Sequence, residues 1–461
     1  MTVPIAAPTG VVPAAAEGPA GDPGPTMTAP ADLMARVDAH LAKHEAHWWD
    51  LALAVHARPE LGLAEFHAAA LLTAALAEQG FAVTRGLAGM PTAFRAEFGD
   101  GPLTVALTAE YDALPGLGHA CGHNLIGTMA LAAASALRPV ADAAGIRVVV
   151  LGCPAEENAG GKIYLAEAGV FDDIHLAAQI HPANRDELCP ATLANDTLTV
   201  RYRGRSAHAS SFPERGRNAY DAITVASVAL GLLRQQLPSS VRVHTLVTET
   251  GAAVNIIHER TAMTVKIRAA DVATLEDVTA RVGDCLRAGG LATGCETTVE
   301  RVLPRFAEIR YDRLLAELFA RASPRFADAD LAYLGGSGET YTPPSGRAAS
   351  TDVGNLSWLV PTIQPMLRLD TGGSGNHEPA FTAAAASPSA RVLLADGAHA
   401  LAGALLAAGT RHAGHYLAAG TPARRAARLA EARAAEVVDL GVPMITPPVS
   451  PSAVPDPQDA P

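Results

Sequence analysis

Apolar residues recur at helical spacing from Leu33 to Val55, are interrupted at Pro59, and resume from Leu61 to Leu76 ahead of Gly80. This spacing predicts two helices between Ala31 and Phe81. Short alternating or wholly apolar runs follow at Ala93–Phe98, Leu103–Leu107 and Ile146–Leu151, with a helical run at Leu125–Leu137 between the last two and a further strand pattern at Ile174–Ile180. Strands alternating with helices of this length predict an α/β fold, with a mostly parallel, doubly wound sheet flanked by helices.

The middle of the chain has a different grain. Leu198–Tyr202, a helix near Ala219–Gln236, Val241–Thr248, Met263–Ile267, a helix near Leu275–Ala288 and a strand near Thr297–Val302 spell βαββαβ. That order is the split, ferredoxin-like βαβ sandwich. The helix and strand alternation returns after Pro304 and includes a candidate strand at Ile363–Leu369, so the module reads as an insertion. The expected organisation is a first core segment over 31–193, the inserted domain over 194–304 and a second core segment over 305–440. Residues 1–30, rich in Pro, Ala and Gly, read as a disordered leader without the pattern of a secretory signal. The Pro-rich segment 441–461 reads as a disordered tail.

Charge narrows the partners. Lys plus Arg number 35 against 47 Asp plus Glu, a net charge of -12. That balance argues against nucleic acid or an anionic membrane, both of which need a positive field. Leu125–Leu137, taken as the longest apolar run, is shorter than the roughly 20 residues that span a bilayer. Five Cys in 461 residues are too few and too irregular for a disulfide scaffold, and a reducing, cytoplasmic compartment is expected. Cys153, Cys189, Cys285 and Cys295 read as packing residues.

Polar residues gather just after the strand patterns. Glu110 and Asp112 follow Leu103–Leu107, Glu156 and Glu157 follow Ile146–Leu151, and His181 follows Ile174–Ile180. In open α/β sheets, ligands bind outside the carboxyl ends of the strands, so these groups should converge. Cys121 and His123, two residues apart, offer a thiolate and an imidazole suited to a loop around an ion such as zinc. Adjacent Glu156 and Glu157 diverge from one another, so one can ligate while the other faces a reacting water. Together the residue types fit a dinuclear metal centre performing hydrolysis. Taken singly, a Glu pair can be solvated surface, and Glu110 and Asp112 can be turn residues.

The stretch from Ala109 to Asn124 closely resembles a signature of the metallopeptidase family of aminoacylases, carboxypeptidase G and the indole-acetyl amino acid hydrolases. It is similar above all to the branch that holds the aminoacylase-like dipeptidases and a p-aminobenzoyl-glutamate hydrolase component. Further matches run in order: Pro154–Glu157, Gly160–Lys162, His181–Pro182, Gly204–His208, Ala253–Ile257, Ser350–Asn355 and His377 near Pro379 and Phe381. The resemblance covers residues 31 to 410 and implies a catalytic domain interrupted by a lid and dimerisation domain. It implies Cys121, His123, Glu157, His181 and His377 as ligands of two divalent ions, zinc or manganese, with Glu156 as general base and acid. It also implies a homodimer in which His208 reaches the partner's site, and Asn255 and Arg268 as groups near the substrate carboxylate. Arg268 reads equally well as a solvated strand residue.

Three positions depart from the family pattern. Glu110 stands where relatives carry Asp or a metal-binding His, so with Asp112 it is expected behind the ligands. Asn124 replaces an Asp, and His258 replaces a Pro. The expected activity is a metal-dependent amidohydrolase acting on N-acyl amino acids, dipeptides or aminobenzoyl-glutamate-like substrates. Its alternatives are a catalytically silent metal-binding protein of the same fold and an amidase with Cys121 as thiol nucleophile.

Overall fold

The computed structural model describes residues 27–335, 338–344 and 348–438. The expected disordered tail over 441–461 and nearly all of the leader over 1–30 lie outside these residues. In chain order the strands are β1 (Ala82–Arg85), β2 (Phe94–Phe98), β3 (Leu103–Ala109), β4 (Ile146–Gly152), β5 (Leu176–Ala178), β6 (His181–Ala183), β7 (Ala194–Arg203), β8 (Arg242–Glu249), β9 (Arg260–Ala269), β10 (Glu296–Phe306), β11 (Tyr311–Asp312), β12 (Thr340–Tyr341), β13 (Thr362–Ile363) and β14 (Met366–Arg368).

The larger sheet runs β1-β2-β4-β3-β5-β13-β11-β12. Its middle strands, β4, β3, β5, β13 and β11, pair in parallel, and β1, β2 and β12 add antiparallel edges. Every residue of β3 is buried, as expected where helices cover both faces of a parallel sheet. The strand period of two shows in the packing. Val105, Leu107, Val148 and Val150 join one core, whereas Ala106, Val149 and Leu151 join the other. Helix His123–Leu137 is buried on all sides, wedged among Ala31–Ala57, Pro388–Ala419 and β3, which explains why it has no polar face.

The second sheet runs β10-β7-β9-β8, antiparallel throughout. With helices Ala219–Leu233 and Val272–Thr293 it is the expected βαββαβ module. Side-chain oxygens start both helices: Asn218 accepts from the Tyr220 amide and Asp271 from the Thr274 amide. Alternation along β9 buries Met263, Val265 and Ile267 and leaves Thr264, Lys266 and Arg268 partly exposed on the opposite face.

Several expectations change. The run Ile363–Leu369 is not one strand. It breaks at Gln364-Pro365 into β13 and β14, which lie in different sheets, because Pro365 cannot donate to a ladder. Ile174–Ile180 likewise shortens to β5. The short strands β1, β11 and β12 carry too few residues to show a period. Leu125–Leu137 is not the longest apolar element either. Helix Pro388–Ala419 is long and apolar enough to cross a bilayer, yet 78% of its most apolar window is buried inside the protein, where its many Ala and Gly residues allow close packing.

Candidate metal centre

Neighbouring parallel strands β4, β3 and β5 deliver their following loops to one crevice. Glu110 and Asp112 leave β3, Glu156 and Glu157 follow β4, and His181 opens β6 just beyond β5. Left-handed backbone shapes these loops beside the chemistry. Gly122 (φ 74) separates Cys121 from His123, Ala155 (φ 60) precedes Glu156, and His377 itself has φ 67. A Cβ on Gly122 would come within 3.0 Å of Pro182 Cγ. Non-glycine residues at such φ need outside support, and they have it. The Ala155 amide donates to Glu65 Oε1 at 2.8 Å, and the His377 amide donates to the Ala120 carbonyl at 3.0 Å.

The five expected ligands meet. One ligand atom each from Cys121, His123 and His181 lie within 4.8 Å of one another, as do one each from Cys121, Glu157 and His377. The two groups share Cys121, an arrangement that suits a pair of adjacent cations. His123 Nε2 and Glu157 Oε1 stand 3.8 Å apart, both buried and both without a hydrogen-bond partner. Buried polar atoms are rarely left unsatisfied, and nitrogen, oxygen and sulfur facing one space are the donors zinc and manganese take. The residues fit the implied metals.

Bonds behind the ligands fix their lone pairs. His123 Nδ1 donates to Asp112 Oδ1 at 3.0 Å, and the Glu157 amide donates to Asp112 Oδ2 at 3.0 Å. Asp112 thus braces His123 and Glu157 with one carboxylate. His181 Nδ1 donates to the Pro182 carbonyl at 2.7 Å. Each imidazole therefore presents Nε2 to the shared space.

Charge in the centre is tightly coupled. Burial pushes the Cys121 thiol well up, so it becomes a thiolate only beside a cation. Burial would lower His123, but Asp112 and Glu110 hold it well above the usual imidazole range. Glu157 drops to about 2: burial works against this, but His377, His123 and Cys121 outweigh it. Glu156 moves the other way. Burial first, then Glu110, Glu157 and Asp352, raise it well above the ordinary carboxylate range. The adjacent carboxyls are pushed apart, as groups with opposite proton duties often are.

Behind Glu156, Glu110 meets Lys162 and Asp352, two residues to which sequence reasoning gave no role. Carboxylate oxygens of Glu110, Glu156 and Asp352 lie within 4.8 Å of one another. The fully buried Lys162 ammonium donates to Glu110 Oε1 and to Asp352 Oδ1, the latter at 2.7 Å. Glu110 is thereby occupied on one oxygen, while Oε2 lies 3.6 Å from His123 Nε2. The signal was present in the sequence: Lys162 is the lone charge in the buried run Gly161–Ala166.

A cavity of about 490 Å³ lies over the centre, lined by Glu156, Glu157 and His377 from below and by Asn195, Lys266 and Arg268 of the four-stranded sheet. Arg268 is therefore brought to the site. His208 and Asn255 are not. They stand side by side on exposed loops, the Ala209 amide donating to the Asn255 carbonyl at 3.0 Å, away from this chain's own cavity lining. Lys266 was passed over, although it lies two residues from Arg268 in an alternating strand.

Comparison with known proteins agrees with this architecture. A family model described as the peptidase dimerisation domain matches residues 195–293. A mouse protein named Xaa-Arg dipeptidase is 35% identical over 400 residues, covering 83% of this chain and 90% of its own length. A human protein of the same name is 33% identical over 370 residues, covering 76% of this chain and 83% of its own. A solved structure from Bacillus subtilis, described as a dinuclear metal-binding peptidase from the M20 family, superposes with a TM-score of 0.57 at 18% identity. It covers 79% of this chain and 98% of that one.

Proposed function

As the chain belongs to the M20 peptidase family of hydrolases, we propose that it is a dinuclear metal-dependent amidohydrolase. Its substrates are N-acyl amino acids, dipeptides or aminobenzoyl-glutamate-like amides. The observation that carries this reading is the meeting of Cys121, His123, Glu157, His181 and His377 around unsatisfied buried donor atoms, with Glu156 beside them. Residues 31–193 and 305–440 form the catalytic unit in this account, and 194–304 the lid.

When bound, two divalent cations would polarise the scissile carbonyl and acidify the attacking water. Asp112 keeps His123 and Glu157 oriented for that task. Glu156, held between Glu157 and the Glu110–Asp352 cluster, takes the proton of the water and returns it to the leaving amine. Its raised proton affinity suits the second half of that cycle.

His208 acts on a second copy of the chain. Its Nδ1 is occupied by the amides of Ser210 and Ser211 at 3.3 and 3.2 Å, which leaves Nε2–H as an outward donor. A donor positioned at a developing oxyanion contributes about 3 kcal/mol. The exposed Leu246, Val254 and Ile256 of the lid and the unpaired edge of β8 supply a surface for a homodimer. All five cysteines are free, which supports a reducing, cytoplasmic setting.

Chelation followed by readdition tests the assignment. Removing metal should abolish hydrolysis of a panel of N-acyl amino acids, dipeptides and aminobenzoyl-glutamate, and zinc or manganese should restore it. Turnover that survives complete metal removal, or a trapped covalent Cys121 intermediate, would overturn it.

A further inference from the structure

The open face of the lid sheet turns two cations toward the cavity. Lys266 and Arg268 are two apart on β9, so their side chains share a face about 6.6 Å apart along the strand. Both line the cavity with Glu156, Glu157 and Asn195. Neither forms an ion pair among the described residues. Asp196, the acid next to Asn195, is held by Arg301 and Arg305 instead. Across the ladder Lys266 faces Thr197 and His244, and Arg268 faces Asn195 and Arg242, so no neighbouring carboxylate on that sheet neutralises them.

A half-buried cation without a partner is costly. Lys266 shows that cost: burial, then the like charge of Arg268, pull its ammonium down to about 8 against the opposing pull of Asp196 and Glu156. Such charges persist where a ligand supplies the missing counter-charge. Apart from Glu156 and Glu157, which the chemistry uses, the formally charged carboxylate and cation groups among the described lining residues are these two, and both are positive. One carboxylate on the substrate would answer one of them. Two carboxylates answer both.

We propose that Lys266, beside Arg268, is a specificity-determining residue that selects substrates whose amine-side residue is a dicarboxylic amino acid, an N-acyl or aminoacyl glutamate or aspartate. The inference rests on the hydrolase reading and sharpens it. A basic residue in the same place meets two like charges and is disfavoured. Lys266 does not take part in the bond-breaking step.

The test compares kcat/KM for one acyl group carried on glutamate, glutamine, alanine and arginine, using the full metal-loaded chain. Calorimetric binding of free L-glutamate and L-glutamine runs in parallel and needs no turnover. Glutamate should lead glutamine by about tenfold or more in both assays, as expected for a charge-assisted contact. Lys266→Met should lower kcat/KM on the glutamate substrate by about tenfold or more and so erase that lead, with a much smaller loss on the glutamine and alanine substrates, and Lys266→Arg should keep it. Equal handling of glutamate and glutamine, preference for arginine, or a Lys266→Met loss of equal size on every substrate would overturn the proposal; the last would mean that Lys266 serves Glu156. Discriminating product binding with no hydrolysis of any substrate would retire the hydrolase reading and leave the binding preference standing.

Discussion

Lys162 Nζ lies 2.7 Å from Asp352 Oδ1, and the Lys162 amide donates to the other oxygen of the same carboxylate at 2.9 Å, with both side chains fully buried. One residue is thus clamped to Asp352 through backbone and side chain, and Glu110 takes what remains of the ammonium. Burial alone would make Lys162 shed its proton, but Asp352 and Glu110 hold it charged, far above its ordinary value.

Breaking this pair from one side leaves an uncompensated buried charge. Lys162→Met should cost about 3 to 5 kcal/mol of stability, and so should Asp352→Leu. The double variant should cost clearly less than the sum of the two. Urea unfolding of the four proteins reads the coupling, and strict additivity would show that the contact does not stabilise the fold.

Glu65 gives a pH dependence with a definite sign. Burial first, then the charge of Asp112, raise its carboxyl from 4.5 to about 8. The folded state therefore keeps a proton that the unfolded chain releases near pH 4.5, so this contribution is complete below that pH and fades as pH climbs to about 8. Glu65→Gln, which can still accept from the Ala155 amide, should flatten the fall in stability between pH 5 and pH 8 by a few kcal/mol, at roughly 1.4 kcal/mol per pKa unit. Thermal melts across that range check it, and parallel curves for the two proteins would contradict it.

If His208 serves the partner subunit, two inactive variants should rescue one another. A dimer of His208→Ala with Glu156→Gln contains one site with an intact Glu156 and an intact incoming His208. Mixing and subunit exchange should therefore restore a substantial fraction of wild-type turnover. Activity of the mixture that stays at the sum of its parts would place His208 in its own chain's site or outside the reaction.

The legible parts of this molecule were those with a long period or a dense motif. Helix His123–Leu137 and the βαββαβ order were readable because their apolar spacing extends over many residues. Glu157 and His181 were readable because they follow strand patterns and Cys121 and His123 because they stand two residues apart, whereas the full ligand set with His377 came from the resemblance of these motifs to a known family. Asp112 was placed behind the ligands, but its hold on both His123 and Glu157 could not be seen, because backbone amides leave no trace in a sequence. Lys162 and Asp352 lie far apart in the chain, so only the fold reveals their pairing. β13 and β14 were fused because an apolar run says nothing about which sheet each half joins. Lys266 was missed because an isolated Lys in a strand usually faces solvent.

The assignment of Glu156 as the proton carrier, distinct from its neighbour Glu157 as a ligand, is tested most directly by measuring kcat and metal content together for Glu156→Gln on a substrate that the wild type hydrolyses. Glu156→Gln should hold about two metals per chain, as the wild type should, with kcat lower by about 100-fold to 10,000-fold. Wild-type turnover in Glu156→Gln, with its metals in place, would contradict it.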